Sequence, residues 1–386
     1  MSTEILPFHV PEIAEDEIQL VVDTLRSGWL TTGPKTKELE ELFAQYIGCR
    51  HAVAVNSCTA ALHLALDAVG IREGDEVLVP TMTFAATAEV VLYFRARPVF
   101  VDCQADTCNL DPNQLERLIT SKTRAVIPVH FAGHPCDMTP ILQIAKKYNL
   151  RVIEDAAHAL PASYLGQTVG TIGDLTCFSF YATKTITTGE GGMITTDNEE
   201  FADRVRMMSL HGISKTAWNR YTTEGSWYYE ILTPGYKYNL TDIAAALGIG
   251  QLRKCQRFWE VRQRIAQCYS EGLADVPEVQ IPACHSTVQH AWHLYVIQLR
   301  LERLRITRNA FIEELKNEGI ATSVHFIPLH LHPYYQNTLH CDPCDFPQAS
   351  GVYQRTISLP IYPKMSGMHV EKVVAAVRKI VERSRR

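Results

Sequence analysis

One lysine of this chain lies in a setting that favours covalent chemistry. Lys184 follows the largely apolar residues 177–181 and precedes a glycine cluster at 189–192, with no acidic residue adjacent to it. Burial destabilises an ammonium group and lowers its pKa, which leaves more neutral amine to attack a carbonyl. Upstream, Glu154 and Asp155 end an apolar segment. A Schiff-base-forming amine, together with a carboxylate that can hold a pyridinium nitrogen, is the minimum equipment for pyridoxal phosphate chemistry.

Two further segments follow strand-like runs and could contact a flat, phosphorylated cofactor. Residues 56–62 open a helix, and backbone N–H groups at a helix N-terminus bind phosphate. The alternative is an ordinary N-cap formed by Ser57 or Thr59. Phe84 could cover one face of a cofactor ring, although most phenylalanines are core residues. The chain has neither a G-x-G-x-x-G nor a P-loop pattern, which removes the usual support for dinucleotide and nucleoside triphosphate sites.

Glu154 and Asp155 are neighbours on a predicted strand, so their side chains face opposite sides of it. Only one of them can reach a site on a given face, and we expect the other to have a paired ionic role. An ionised carboxylate keeps a pyridine nitrogen protonated, which makes the ring an electron sink. His158, just beyond the strand, either hydrogen-bonds a cofactor oxygen or caps the strand end.

The composition is that of an ordinary globular protein. The chain has 386 residues, 46% hydrophobic and 20% charged, and 37 basic against 42 acidic residues give a net charge of −5. This balance favours neither nucleic acid nor an anionic membrane as the main partner. No apolar run approaches the length of a membrane span and no signal pattern is present, so we expect a cytoplasmic protein.

Eleven cysteines are scattered through the chain, which argues for free, reduced thiols. Cys341 and Cys344 form the only C-x-x-C pair, and His332 and His340 lie near them in sequence. A lone C-x-x-C pair is weak evidence for zinc, and its proline-rich surroundings indicate a loop. We therefore predict no metal site.

Short apolar runs alternate with helical stretches from about residue 50 onward. The predicted strands are residues 51–56, 76–80, 98–102, 124–130, 151–155, 175–180 and 192–196. Their mostly continuous apolar character, and the helices predicted at 113–119 and 137–148, indicate a mainly parallel, doubly wound α/β sheet. Sites in such sheets form at the carboxyl ends of the strands, where Asn56, Thr83 and Asp155 fall.

The second part of the chain has a different pattern. Residues 241–269 predict one or two long helices, with Thr241 as the N-cap, that bridge to a C-terminal domain. There, 291–299 and 321–326 are predicted strands, 307–318 is a helix between them, and a last helix spans 367–383. We therefore predict a large α/β domain at residues 1–250, including an N-terminal arm, and a smaller α+β domain at 251–386.

Each of these pieces is ambiguous, but their order along the chain is much less so. Eight segments together match one known family and run along nearly the whole chain: residues 27–34, 59–63, 83–84, 154–158, 178–184, 188–192, 211–212 and 234–242. In these segments the chain resembles the sugar aminotransferases of the DegT/DnrJ/EryC1/StrS family. The resemblance implies a fold-type I fold, that of the PLP-dependent transferases, where PLP is pyridoxal 5'-phosphate.

The resemblance also implies a role for each matching residue. Lys184 would bind PLP covalently as a Schiff base, and Asp155 would pair with the ring nitrogen. Phe84 would stack on the ring, and His158 would lie near the ring hydroxyl.

Four further residues would hold the cofactor phosphate. The resemblance implies contacts from the backbone amides of Cys58 and Thr59 and from the Ser179 hydroxyl. Asn239 would reach the phosphate in the neighbouring subunit, since these enzymes are homodimers with shared active sites. The family commonly has glycine or alanine where this chain has Cys58, which bears on how closely the phosphate approaches.

A two-stage transamination is implied as well. Glutamate would convert the cofactor to pyridoxamine 5'-phosphate (PMP), its intermediate form. PMP would then aminate the 4-keto group of a nucleotide-activated sugar, a UDP-4-keto-pentose or a 4-keto-6-deoxyhexose, for cell-surface or secondary-metabolite sugars. Lys184 would move the proton between the substrate and the cofactor. The sequence of these motifs, including residues 290–294, most resembles the branch of the family that makes UDP-4-amino-4-deoxy-L-arabinose.

The sugar itself is less well defined by the sequence. The candidate residues of the sugar pocket are Thr31, Lys237, His325, His330 and Tyr334. Any of the last four could equally be a solvated surface residue. Two alternative functions stay open: a nucleotide-sugar 3-dehydratase of the same family, which has histidine in place of the lysine, and a non-catalytic regulator that keeps the fold. The presence of Lys184 and Asp155 favours transamination.

Overall fold

One seven-stranded sheet and two three-stranded sheets organise the part of the chain that the structure describes. The structure is a computed structural model and describes residues 5–213 and 228–386. The strands are β1 His51–Val55, β2 Glu76–Pro80, β3 Arg97–Val101, β4 Thr123–Val126, β5 Arg151–Asp155, β6 Ser163–Tyr164, β7 Gln167–Thr168, β8 Leu175–Ser179, β9 Gly192–Thr196, β10 Val279–Gln280, β11 Val288–Gln289, β12 Tyr295–Leu299 and β13 Thr356–Leu359. The α-helices are α1 Glu15–Ser27, α2 Pro34–Ile47, α3 Cys58–Ala68, α4 Ala86–Leu92, α5 Leu115–Leu118, α6 Met138–Tyr148, α7 Glu199–Ser209, α8 Asp242–Arg253, α9 Cys255–Leu273, α10 Arg308–Asn317, α11 Pro333–Leu339, α12 Pro347–Tyr353 and α13 Gly367–Ser384.

The central sheet is mainly parallel, which confirms the predicted α/β class. Its strand order is β3-β2-β4-β5-β8-β9-β1, and the strands from β3 to β8 run parallel to one another. Only β9 is reversed within this sheet, because it pairs antiparallel with both β8 and β1. Helix α3, which follows β1, is buried from Ala60 to Leu66 and packs on β5, β8 and β9. Its N-terminus therefore begins at the carboxyl edge of the sheet.

The strand bounds follow the predicted apolar runs, with one informative exception. β2, β5 and β9 have the predicted bounds. β4 ends at Val126, although the strand was predicted to continue to residue 130. Pro128 has no N–H group to donate to a ladder, and beyond it Val129 forms only an isolated bridge with Asp155. The chain is thereby released from the sheet before residues 130–134.

The C-terminal part contains an antiparallel sheet with the order β10-β12-β13. The strand predicted at 291–299 begins only at Tyr295. The N–H groups of Ala291 and Leu294 instead bond to the carbonyls of Gly133 and Ala132. This short contact joins the segment that leaves β4 to the segment that enters β12.

The strand predicted at 321–326 is wrong. Ala321 N–H bonds to the Leu6 carbonyl, whereas Ser323 exchanges bonds with Ser358, so the segment pairs with two different partners and forms no continuous ladder. β13, which the sequence analysis did not identify, occupies the position beside β12. β13 carries Ser358, so the segment predicted as a strand forms one isolated bridge to β13.

The long helices between the two parts form as predicted. Thr241 accepts the Ala244 N–H at 3.3 Å and caps α8, and α9 follows after Lys254. The C-terminal apolar core is built from α9 onward and also buries Leu6 of the N-terminal arm. The domain division at residue 250 stays a prediction. Within residues 5–213 and 228–386, no helix has the length and apolar character needed to span a bilayer.

Candidate active site

Asp155 ends β5 at the carboxyl edge of the central sheet, and its carboxylate is buried. Thr87 donates a hydrogen bond to Oδ2 at 2.9 Å, and the Ala157 N–H donates to Oδ1 at 3.1 Å. Burial raises the pKa of Asp155, while these two bonds and the charge of Lys184 act in the opposite direction. No cation among the described residues forms an ion pair with this carboxylate. It is therefore available to a cationic group of a ligand.

Glu154 has the paired role that we expected for the second carboxylate. It is fully buried, and its Oε2 lies 2.9 Å from His130 Nε2. Its Oε1 accepts bonds at 2.8 Å from the Gly173 N–H and from the Thr176 hydroxyl. Because the Cys136 N–H donates to His130 Nδ1, the proton of a neutral His130 lies on Nε2 and is donated to Glu154. Glu154 is thus engaged within the fold.

Lys184 lies beyond β8, where its N–H bonds to the Tyr181 carbonyl at 2.9 Å. Its side chain is half-buried. Burial lowers the pKa of the amine to about 8, and the neighbouring Cys58 and Asp155 act in the opposite direction. At pH 7 about a tenth of such an amine is neutral, against roughly one part in three thousand for an ordinary lysine. The fold thus brings a nucleophilic amine close to Asp155.

Three histidines lie near the Lys184 amine. Burial is the main cause of the lowered pKa of His158, His293 and His325, and the charge of Lys184 contributes to each. The ring centroids of His158 and His293 are 4.4 Å apart. His158 Nδ1 accepts the Ala132 N–H at 3.2 Å, so the proton of the neutral ring lies on Nε2. His158 therefore retains one N–H donor that can serve a ligand.

Phe84 is not a core residue. It is 63% exposed and lies between β2 and α4, at the carboxyl edge of the sheet. Its ring centroid is 6.0 Å from that of Phe326, which in turn stacks 5.9 Å from His158. An exposed phenylalanine in this position has no explanation in core packing. Its open ring face is suited to covering a planar group.

The turn before α3 offers free backbone donors. Ser57 caps the helix by accepting a main-chain N–H of the first turn at 3.1 Å, as the N-cap alternative predicted. The amides of Cys58 and Thr59 have no intrahelical acceptor, because they belong to the first two helical residues. A Cβ added at Gly192 would lie 2.7 Å from the Ser57 carbonyl oxygen, so this close approach requires glycine. Ser179 pairs with Gly192 in the sheet and therefore lies beside the same turn.

Asn239, Lys237 and Thr31 lie beyond the outer edge of β1. Asn239 forms a bridge with the last residue of β1. Its Nδ2 donates to Thr32 Oγ1 at 2.6 Å, and its Oδ1 accepts from Lys237 Nζ at 2.5 Å. The exposed Thr31 accepts the Asp242 N–H through its carbonyl. These contacts lie within one chain, and a contact of Asn239 with a second subunit stays a prediction.

A reactive amine, a buried carboxylate and an exposed aromatic ring thus lie together at one edge of the sheet. The family model of the DegT/DnrJ/EryC1/StrS aminotransferases matches residues 11–378. The chain belongs to this aminotransferase family. The resemblance inferred from the motifs is thereby confirmed, and with it the fold class.

Individual proteins are similar to this family member over their full length. An uncharacterized protein from Methanocaldococcus jannaschii is 55% identical over 380 residues, which is 98% of both chains. The spore coat polysaccharide biosynthesis protein SpsC from Bacillus subtilis is 51% identical over 378 residues, 98% of this chain and 97% of its own. The PMP form of Spr1654 from Streptococcus pneumoniae, a proposed sugar aminotransferase, is 39% identical, covers 98% of both chains and has a TM-score of 0.92. Its PLP form has a TM-score of 0.91.

Of the five residues predicted to line a sugar pocket in this aminotransferase, the structure brings His325 to the cluster around the amine. His330 is held within the fold, and its role in the sugar pocket stays a prediction. Its side chain is buried, with Nδ1 2.7 Å from Thr81 Oγ1 and Nε2 3.0 Å from Ser350 Oγ. Both ring nitrogens are occupied, so His330 connects the end of β2 to α12. Tyr334 is 57% exposed, and its role in the pocket stays a prediction.

All eleven cysteines are free, as predicted for reduced thiols. Cys344 is exposed and Cys341 is half-buried. In the ranges that the structure describes, no group of three or more His, Cys, Asp or Glu side chains is arranged to hold a metal ion.

Sequence reasoning missed three groups near the site. Thr87 donates a side-chain hydrogen bond to the Asp155 carboxylate. His293 Nδ1 is buried, with no hydrogen-bond partner in the described part of the chain. His9, on the N-terminal arm, has its pKa lowered to about 3 by burial and by the charges of Arg262 and Lys184. An isolated histidine or threonine carries no pattern, and only the match at residues 290–294 could have drawn attention to His293.

Proposed function

We propose that this protein is a PLP-dependent aminotransferase that transfers an amino group from glutamate to the 4-keto group of a nucleotide-activated sugar. The observation that carries the proposal is the half-buried Lys184 amine beside the buried Asp155 carboxylate. The family and the solved PLP and PMP forms of Spr1654 support the cofactor. The names of Spr1654 and SpsC support a sugar acceptor and a polysaccharide pathway.

The residues of the site fit PLP, which is the cofactor of this aminotransferase. Asp155 is a buried carboxylate with two neutral donors, and a protonated ring nitrogen would supply the cation that the described residues do not. Phe84 offers an open ring face, and His158 offers its Nε2–H to the ring hydroxyl. The free amides of Cys58 and Thr59 can bind the phosphate at the N-terminus of an eleven-residue helix.

When bound, PLP supplies an electrophilic carbon for primary amines and an electron-poor ring that stabilises negative charge on a substrate carbon. Asp155, when ionised, keeps the ring nitrogen protonated. The Lys184 amine would hold the cofactor and, when free, would accept and return a proton. A pKa of about 8 suits both tasks near neutral pH, because neither protonation state is rare. His158 remains neutral, since burial and the charges of Lys184 and His325 lower its pKa.

The remaining assignments follow the family resemblance. The Ser179 hydroxyl contacts the phosphate, and Asn239 contacts the phosphate held by the second subunit of a homodimer. The sugar and its diphosphate contact Thr31, Lys237, His325 and Tyr334. The sugar branch predicted from the sequence and the cytoplasmic location also stay predictions.

An assay of the half-reaction tests this function directly. The PMP form of the enzyme is mixed with a panel of nucleotide 4-keto sugars, and the loss of the pyridoxamine absorption band is followed. We expect the band to disappear with one or a few of these sugars and to be restored by glutamate. A response to a free keto acid or aldehyde but to no nucleotide sugar would defeat the sugar assignment.

Lys184→Ala is the matched control for the chemistry. This variant should still bind the cofactor through Asp155 and the start of α3, but it should lack the absorption of the lysine-bound form and should not turn over. A Lys184→Ala enzyme that turns over at the wild-type rate would refute the role of the amine. Comparing the two forms separates binding of the cofactor from its chemistry.

A further inference from the structure

A chain of two buried threonine hydroxyls ends on the site carboxylate. Thr83 Oγ1 lies 2.7 Å from Thr87 Oγ1, which lies 2.9 Å from Asp155 Oδ2. The exposed fractions of the three residues are 2%, 0% and 5%. Both hydroxyls are therefore shielded from water, and their bonds to each other and to the carboxylate have no competition from solvent.

The chemistry of the groups sets the direction of these bonds. An ionised carboxylate only accepts hydrogen bonds, and a threonine hydroxyl has one proton to donate. When Asp155 is ionised, Thr87 must donate to Oδ2, and Thr83 must then donate to Thr87. A hydroxyl that already accepts a hydrogen bond is polarised and becomes a better donor. The relay therefore favours the ionised state of Asp155.

The threonines reach Asp155 from a distant part of the sheet. Thr83 follows β2 and Thr87 lies in the first turn of α4, whereas Asp155 ends β5, two strands away in the order β2-β4-β5. Among residues 5–213 and 228–386, the one other hydrogen bond to the carboxylate comes from the Ala157 N–H of its own loop. Thr87 is thus the side-chain donor that fixes Oδ2 from outside that loop.

We propose that Thr87 is a positioning residue that holds Asp155 ionised and oriented toward the cofactor ring nitrogen, with Thr83 fixing the direction of the Thr87 hydroxyl. This inference rests on the proposed function, because it assigns Asp155 to that nitrogen. Burial by itself raises the pKa of Asp155, and the bond from Thr87 is the first of the effects that oppose the rise. Without this bond, a larger fraction of Asp155 would be protonated and unable to accept from a pyridinium.

The test compares two cofactors that differ only at the ring nitrogen. The dissociation constants of PLP and of its 1-deaza analogue, in which carbon replaces that nitrogen, are measured by absorbance titration. The proteins are the cofactor-free full-length wild type, Thr87→Val, Thr87→Ser and Thr83→Val. Valine has the shape of threonine but no hydroxyl, whereas serine keeps the hydroxyl. Circular dichroism of each cofactor-free protein checks that it is folded.

We expect Thr87→Val to bind PLP roughly ten- to a hundredfold more weakly than the wild type, the loss typical of one hydrogen bond to a charged group. Thr87→Ser should restore binding, and Thr83→Val should show a smaller loss. With the 1-deaza analogue, which cannot bond to Asp155 through a ring N–H, all four proteins should bind about equally. If Thr87→Val does not fold, the same contrast between the two cofactors is measured on Thr83→Val.

Two results would overturn the inference. One is unchanged PLP binding by the valine variants, and the other is an equal loss for both cofactors, which would make Thr87 a purely structural residue. Failure of the proposed function has a different signature, because the wild type itself would then bind PLP no more tightly than the 1-deaza analogue.

Discussion

Replacing Lys184 by methionine should stabilise the cofactor-free protein at neutral pH while abolishing covalent cofactor binding. Burial lowers the pKa of this amine from 10.5 to about 8. Each pKa unit corresponds to about 1.4 kcal/mol, so holding the ammonium in the folded protein at pH 7 costs about 3 kcal/mol. Water at the exposed part of this half-buried side chain screens some of that cost, and we expect about 2 kcal/mol of it to remain.

The pH dependence of this difference identifies its cause. Below pH 8 both folded and unfolded wild type carry the proton, so the cost is constant. Between pH 8 and 10.5 the folded protein releases the proton before the unfolded chain does, and wild-type stability rises relative to the variant. Above pH 10.5 the amine is neutral in both states and the cost is gone. Packing of the methionine adds a contribution that does not vary with pH.

Urea denaturation of the cofactor-free proteins at a series of pH values from 7 to 10.5 measures the difference in the free energy of unfolding. Lys364→Met is the matched control, because it makes the same substitution at an exposed lysine. A difference between Lys184→Met and wild type that stays constant across this range would refute the lowered pKa. A stability advantage of Lys184→Met over wild type that grows as the pH rises would refute it as well.

Two further substitutions separate residues that serve the cofactor from residues that serve the fold. Phe84→Ala should change the free energy of unfolding by less than about 1 kcal/mol, because the ring is already 63% exposed. The same change should weaken PLP binding roughly tenfold through loss of the ring contact, as measured by absorbance titration. A large loss of stability would instead show that Phe84 serves the apolar core. Glu154→Ala should lower the free energy of unfolding, measured by urea denaturation, by about 3–5 kcal/mol, because it leaves the buried donors of His130 and Thr176 and the half-buried Gly173 N–H without their acceptor. A near-neutral Glu154→Ala would contradict the structural role.

Local patterns were sufficient to predict much of the large sheet. Continuous apolar runs such as residues 76–80, 151–155 and 192–196 became strands with the same bounds, because strands buried on both faces leave little tolerance for polar residues. The start of α8 was also predictable, since the Thr241 cap is a local interaction. The strands predicted at 291–299 and 321–326 differed from the structure for a non-local reason. Residues 321–326 have strand-like composition, but whether they pair depends on Leu6 and Ser358, which are distant in sequence.

The candidate active site likewise combines features that local patterns predict with features that depend on distant contacts. Alternation along a strand required that Glu154 and Asp155 face opposite sides, but the pattern could not say which of them faces the amine. Their partners decided it, since His130 pairs with Glu154 and Thr87 bonds to Asp155. The partners of His330 were likewise not predictable, because Thr81 and Ser350, which occupy both of its ring nitrogens, lie on other segments of the chain.

By itself, the sequence determined the fold class and the family, because strand composition and motif order can be read directly from the chain. Its match to the family motifs also predicted that Lys184 and Asp155 are central to the chemistry. Only the tertiary structure decided the state of those residues. The pKa of Lys184 depends on how the fold buries it, and the ionisation of Asp155 depends on a threonine from two strands away. At these two residues, burial and side-chain hydrogen bonding arise from contacts between segments far apart in sequence, so no local pattern encodes them.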